Sequence, residues 1–227
     1  MNKVETIPGG WVSLLNVMGD DLDIVNAARI SFDKHHEQIK EGDDKLIFFL
    51  AKNRHGTPFE MVDFMFQVRC PLTVAREWFR HRIASYNEMS GRYVKMEKDV
   101  YLPALSAVRT QQGKPGHYTF ESVDDGFAED KCIEVMASAY NYAYDAYEEL
   151  LEKGIAKELA RNVLPQGMFT EFRYKTNARS LMNFLSLRNA PNAMLEIRKY
   201  AEEMEKMFAE KLPITYEAFI KTGRIAP

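Results

Sequence analysis

Cysteine is scarce in this sequence. Cys70 and Cys132 are the two in 227 residues, and they stand far apart with no metal-ligand spacing, which excludes a disulfide framework and a zinc ribbon. Free, partly buried thiols in a reducing compartment are expected. No apolar run approaches the roughly 20 residues that cross a bilayer, and the opening Met1-Asn2-Lys3-Val4-Glu5 lacks the apolar core of a secretory signal. The expected location is the cytoplasm, with no membrane partner. Internal repeats and low-complexity linkers are missing too, so the simplest organisation is one domain spanning 1–227. A strong net charge is also lacking. At −3 the chain has no global attraction for nucleic acid, and any anion site must come from a local cluster of cations. What is present is a globular composition, 46% hydrophobic and 28% charged, too apolar for a disordered chain. Its arginines are unevenly placed: Arg69, Arg76, Arg80, Arg82 and Arg92 crowd into one stretch, whereas acids gather at Glu148-Glu149 and Glu202-Glu203.

Periodicity then divides the chain into elements. Trp11 to Val17 reads as a first strand, followed by a helix capped by an Asp near position 20. Asp43-Asp44 open a helical run through Leu46-Ile47-Phe48-Phe49-Leu50 that Gly56 and Pro58 stop. Val62, Phe64, Phe66, Val68 and Cys70 alternate with Asp63, Met65, Gln67 and Arg69, a period of two that predicts a strand with one buried face. Pro71 ends it, and Thr73 is placed to cap a helix running through Trp78 to Arg82 and beyond. Ser85 to Gly91 favours loops, so that helix should fray into a loop carrying Glu88, Ser90 and Arg92. Gln111 to Gly116 reads as a mobile turn. From Ala128 to Glu152, residues such as Ile133, Met136, Ala137, Tyr140, Tyr144 and Tyr147 recur at helical spacing and predict the longest core helix, ended by Gly154. A short helix from Ala156 to Asn162, a strand from Met168 to Thr176, a helix through Leu181 to Arg188 and a long helix from Pro191 to Leu212 complete the reading. The sum is a single α+β domain in which antiparallel strands form one sheet packed by several long helices.

The arginine-rich stretch carries the chemistry. Successive residues on a helix point about 100° apart, so Arg80, His81 and Arg82 would reach in different directions and suit a junction between ligands or subunits. Arginine forks bind phosphate bidentately, each charge-assisted hydrogen bond contributing about 1.5–3 kcal/mol. Phosphorylated ligands are implied. Taken alone, the run is better explained as a solvated helix face with acidic partners such as Glu77 and Glu88. The wider span Arg80-His81-Arg82-Ile83-Ala84-Ser85-Tyr86-Asn87-Glu88-Met89-Ser90-Gly91-Arg92-Tyr93, however, resembles the RHR-x7-S signature and flanks of the flavin-dependent thymidylate synthases. His55-Gly56-Thr57-Pro58-Phe59-Glu60 resembles that family's segment near the flavin. Asn177-Ala178-Arg179-Ser180-Leu181, with Asn183 and Arg188, resembles its second nucleotide and flavin segment, and Arg161 matches the arginine that holds the dUMP phosphate.

The resemblance implies reductive methylation of dUMP to dTMP, with methylenetetrahydrofolate as carbon donor, NADPH-reduced FAD as hydride source, and no metal. It places Arg80, His81 and Arg82 on the flavin, with His55, Thr57, Glu88, Asn177 and Asn183 around it. It places Glu77, Arg80, Glu88, Ser90, Gly91, Arg92, Arg161 and Arg188 on the substrate side. Arg188 is the candidate catalytic residue, a fixed cation where negative charge develops on the uracil ring. A homotetramer with each site built from more than one subunit is implied as well. Taken alone, Asn177 and Asn183 read better as a helix cap and a polar helix face. Two positions depart from the family pattern. Glu77 stands where some members carry Gln, and its anion would repel a nucleotide phosphate unless an arginine pairs it; Asn192 stands where some carry His.

The absence of an obvious reactive cysteine agrees with such chemistry, since ordinary thymidylate synthases attack uracil with a thiolate in an electropositive pocket. Cys70 ends an alternating strand on its apolar side and Cys132 lies in the long helix. His35-His36 is read as a surface pair, because adjacent histidines point apart and no ligand motif follows. Met194, Met204 and Met207 are read as core or subunit contact. Two competing readings remain: a flavin reductase or oxidase without methyl transfer, and a non-catalytic nucleotide- or RNA-binding module using the arginine cluster.

Overall fold

The computed structural model describes residues 2–114, 117–123 and 126–227. A first hairpin, β1 (Val4–Ile7) and β2 (Gly10–Met18), turns at Gly9, whose φ of 77° suits a residue without Cβ. Asp20 then caps α1 (Asp21–Arg29) as the sequence predicts. Its carboxylate accepts from the amides of Leu22 and Asp23, and Asp23 returns a bond to the Asp20 amide, a reciprocal capping box. Helix α2 (Asp43–Lys52) opens on two acids that favour its positive end. In β3 (Asp63–Pro71) the predicted alternation is complete: Phe64, Phe66, Val68 and Cys70 are fully buried, while Met65, Gln67 and Arg69 are half-buried.

The segment after β3 differs from expectation. Helix α3 (Leu72–Trp78) has Pro71 at its cap position, Thr73 caps nothing, and the helix stops at Trp78. Arg80, His81 and Arg82 therefore lie on the turn beyond it, and the signature does not begin on a helix. The expected loop is replaced by strand β4 (Ser85–Glu88). Its backbone pairs antiparallel with residues 172–175, which would otherwise present an open edge of unpaired amides and carbonyls. Tyr86 fixes the turn by donating from its hydroxyl to the carbonyls of His81 (2.7 Å) and Trp78 (3.2 Å).

Gln111 to Lys114, read as a turn, belong to a hairpin of β5 (Arg109–Lys114) and β6 (His117–Ser122); Pro115 and Gly116 of that turn lie outside the described residues. Helix α4 (Gly126–Glu152) is the longest, as its spacing predicts, but only its C-terminal part is core, joining a small second cluster with Met96, Ala160 and Met168. Only Tyr144 and Tyr147 of it are buried, and the apolar face of Ile133, Met136, Ala137 and Tyr140 stays partly open in the single chain. A short α5 (Lys157–Ala160) and a 3-10 turn (Arg161–Val163) lead to β7 (Phe169–Asn177) and α6 (Ala178–Arg188). Helix α7 (Leu195–Lys211) begins at Leu195 rather than Pro191, and an unforeseen α8 (Pro213–Lys221) follows. Asp21 explains part of α8, since its carboxylate binds the first-turn amides of Ile214 and Thr215 and the Thr215 hydroxyl.

The main sheet is antiparallel throughout, in the order β1-β2-β3-β7-β4, so the α+β reading stands with one small hairpin added. One face of the sheet is apolar. There Phe64 meets Phe208 of α7 and Trp78 meets Phe184 of α6, at ring distances of 5.6 and 4.8 Å. Met204 is buried in this core, with Met194 and Met207 at its border. Cys70 and Cys132 are free thiols, buried and half-buried. His35 is exposed, but His36 is no idle surface residue: its Nδ1 lies 3.0 Å from Asp43, which also pairs Arg29. Among the described residues no helix is long and apolar enough to cross a membrane.

Candidate functional site

The turn that follows α3 is short because Trp78 is anchored in the core and Tyr86 ties the chain back to it. Arg80, His81 and Arg82 are thereby spread along one rim of a cavity of about 500 Å³. Arg179, Ser180, Asn183 and Leu187 of α6 line it as well, and Tyr174 of β7 and Glu60 add to the lining. Among the described residues the side chains of Arg80 and Arg82 are exposed and make no hydrogen bond or ion pair. Uncompensated guanidinium groups on a concave surface are suited to a ligand with phosphate groups. Arg69, by contrast, bonds the Gly9 carbonyl, Asp99 and Glu171 and lies over the Phe169 ring, so it holds the fold.

Arg188, the last residue of α6, reaches back across the same turn. Its Nε donates to His81 Nε2 at 3.0 Å, its Nη1 pairs Glu77 Oε2 at 2.6 Å, and its Nη2 donates to the Glu77 carbonyl at 3.2 Å. The arginine needed to neutralise Glu77 is thus the candidate catalytic residue itself. Burial, with the Arg188 cation adding to it, pushes the His81 imidazole down to about 4, so it is neutral at pH 7.

His55 and Thr57 line a second, more apolar cavity of about 1070 Å³ between α1 and α2, together with Ser31, Phe32, Phe49 and Arg54. Gly56 lines this second cavity and lies against Arg179, which lines the first. A Cβ there would lie 2.4 Å from Arg179 Nε, so glycine lets that side chain cross, and Arg179 Nη1 pairs Glu60 at 2.6 Å on the other side. Sequence reasoning left Arg179 and Glu60 off the list although both stand inside the segments quoted; their spacing gave no sign that they pair. Asn177 Oδ1 accepts from the Ser180 amide at 2.8 Å, so in this structure it is the helix cap that the plain reading expected. Asn183 is exposed toward the first cavity.

The remaining candidates form a separate group beyond β4. Ser90 Oγ accepts from the Arg92 amide at 3.3 Å, and Gly91 is buried against Arg161, where a Cβ would come within 3.3 Å of Arg161 Cδ. Arg92 Nε donates to Glu158 at 2.9 Å with both side chains more than half exposed, a solvated pair of small worth that a ligand can replace. Arg161 is exposed and, among the described residues, unpaired. Glu88 accepts from the Thr170 hydroxyl at 2.6 Å. Strand β4 runs between the turn that carries the Arg188 group and Ser90 to Arg92, and its four residues span about 10 Å.

The model of the family described as "Thymidylate synthase complementing protein" matches residues 13–214. A flavin-dependent thymidylate synthase of Thermotoga neapolitana is 44% identical over 219 residues, covering 96% of this chain and 94% of that protein. One from Thermus thermophilus is 39% identical and covers 95% and 77%. The chain belongs to the flavin-dependent thymidylate synthase family. Among solved structures, the UMP/dUMP methylase PolB from Streptomyces cacaoi, bound with 5-Br dUMP, superposes with a TM-score of 0.88 at 37% identity, covering 96% of this chain and 97% of that one.

In this member of the flavin-dependent thymidylate synthases neither thiol is set up as a nucleophile. Cys70 is fully buried within β3, and burial, with the nearby Glu88 charge adding, pushes its thiol well above the ordinary range. Cys132 lies on α4, outside both cavities. Among the described residues no three His, Cys, Asp or Glu side chains come together to hold a metal ion.

Proposed function

We propose that this chain methylates dUMP to dTMP, taking the one-carbon unit from methylenetetrahydrofolate and the hydride from NADPH-reduced FAD, without a cysteine nucleophile. The observation that carries this reading is the set of unpaired arginine side chains at the family's motif positions, Arg80 and Arg82 beside a neutral His81 and Arg161 against Gly91. A flavin dinucleotide fits the residues present. Arg80 and Arg82 are placed to take its phosphates, His81 and Asn183 to bond its polar edges, and His55 and Thr57 to meet it from the adjoining cavity. Bound reduced FAD would supply the hydride that completes the methyl group.

The chain's own residues orient and polarise. Ser90, the Gly91 backbone, Arg92 and Arg161 hold the uridylate, with Glu88 beside them. Arg188 presents a fixed guanidinium to the pyrimidine ring, stabilising the charge that develops as the ring becomes nucleophilic. Because Arg188 and the Ser90–Arg92 group are separated within one chain, the reading further places each site across subunits of a homotetramer. The partly open apolar face of α4 supports association of that kind. We also propose that residues 1–227 act as one unit and work in the cytoplasm.

Tritium release from C5-labelled dUMP by the purified protein, with FAD, NADPH and methylenetetrahydrofolate omitted in turn, tests the reading. Release that needs all three, with dTMP as product, supports it. No release from a folded, flavin-loaded sample would move the assignment to a flavin oxidoreductase, and a colourless protein that binds RNA with steep salt dependence would restore the binding module. Arg82→Ala is expected to weaken FAD retention about tenfold, the loss of one charge-assisted contact. A variant that holds flavin as tightly as the parent would move Arg82 out of the flavin set.

A further inference from the structure

Arg188 carries five N–H donors, and the structure engages three of them: Nε with His81, one on Nη1 with the Glu77 carboxylate, and one on Nη2 with the Glu77 carbonyl. One N–H on each terminal nitrogen remains for a ligand, the donor pair that suits two neighbouring acceptors on a planar ring. A guanidinium group does not deprotonate in a protein. His81 Nε2 must therefore be the acceptor in this contact, and the neutral ring carries its proton on Nδ1.

We propose that Glu77 is the positioning residue of this site: it holds the Arg188 guanidinium in the orientation that leaves those two donors available, and through Arg188 it fixes the tautomer of His81. What Arg188 does to the substrate rests on the thymidylate synthase reading; the clamp itself does not. A direct substrate contact by the same carboxylate is disfavoured, since Oε2 is already 2.6 Å from Arg188 and an anion would repel a nucleotide phosphate. Charged groups around His81 are Arg188 from α6, Glu77 from α3 and its chain neighbours Arg80 and Arg82, while Phe184 packs edge-on at 4.9 Å. The Glu77 side chain is 40% exposed, so replacing it does not open the core.

Glu77→Ala and Glu77→Gln separate the alternatives, read by NMR titration of the isotope-labelled histidines in the purified protein and by dUMP tritium release. With alanine, Arg188 loses the carboxylate that holds Nη1 and keeps only the backbone carbonyl of residue 77; kcat is expected to fall about 100-fold with KM for dUMP little changed, the usual scale for a misplaced catalytic group. The His81 midpoint is expected to rise part of the way from about 4, because its cationic neighbour is held less closely while burial, the larger cause of the depression, remains. With glutamine, whose amide oxygen accepts the same bond, both properties are expected to return most of the way. An alanine variant whose His81 still titrates near 4 would overturn the proposal, as would a glutamine variant as impaired as the alanine one, since charge rather than position would then be the cause. If the parent itself releases no tritium, the function reading fails while the His81 midpoint still decides the clamp.

Discussion

Arg188→Ala is expected to leave a folded, yellow protein that forms dTMP about 10³-fold more slowly, the scale on which one preorganised donor to a developing charge is lost. The protein should fold because the deletion strands little. Glu77 is 40% exposed and can hydrate its freed carboxylate, and Leu185 and Phe184, which seat the end of α6, remain buried. Flavin should stay because Arg80, Arg82 and Asn183 line their cavity without leaning on Arg188. Turnover close to that of the parent would remove Arg188 from the chemistry.

The same variant has a signature in acid. In the parent, His81 titrates near 4 when folded and, by its ordinary value, near 6.5 when unfolded. Between those two values the unfolded chain binds more protons, so stability falls as pH drops from 6.5 toward 4. Burial is the larger cause of the shift and Arg188 the smaller. Removing Arg188 should narrow the gap without closing it. The fall in melting temperature between pH 7 and pH 5 should be smaller in Arg188→Ala than in the parent; an equal fall would show that the two side chains are not in contact in solution.

What could be read from the sequence was whatever a local pattern decides. The alternation of Phe64, Phe66, Val68 and Cys70 could mean little else than a strand with one dry face, and that face is dry. Asp20 follows Gly19 at the head of a helical run, so a cap was the natural use of it. Ser85 to Glu88 failed for the opposite reason. Its composition favours a loop, yet β7 offers an unpaired edge and Tyr86 stacks on Tyr174 at 5.2 Å, so contacts with residues far along the chain outweigh local preference. Helix α4 shows a further limit. Its period revealed an apolar face but not what would cover that face, and in one chain nothing fully does.

The site divides the same way. Motif resemblance picked out Arg80 to Arg82, Asn183 and Arg188, and the fold brings them to one turn and one helix. The same resemblance left Glu77 as an unexplained anion, because its partner is Arg188, 111 residues away, and no spacing rule reaches that far. Arg179 with Glu60, 119 residues apart, was hidden for the same reason.

Trp78 connects the stability of the fold to the placement of the site, and Trp78→Ala is expected to cost about 3–5 kcal/mol, the range for emptying a large aromatic site in a core. The ring is fully buried, within 5.8 Å of Phe172, Tyr174, Phe184 and Tyr200, so one side chain joins α3 to β7, α6 and α7. In a chain of this length the melting temperature should drop by on the order of 10 °C. Flavin retention should weaken with it. Phe184 packs on the His81 ring and Tyr174 lines the cavity, so a collapse into the vacated space displaces both. Trp78→Phe should cost far less. It keeps most of the ring contacts and removes an indole N–H that is buried without a hydrogen-bond partner, a group whose burial already costs the parent stability. Denaturant melts of both variants, read beside the absorbance of retained flavin, check the pair. If alanine cost under 1 kcal/mol, roughly the effect of an ordinary surface change, the aromatic cluster would not be what holds the signature turn in place, and the link drawn between core and site would fail with it.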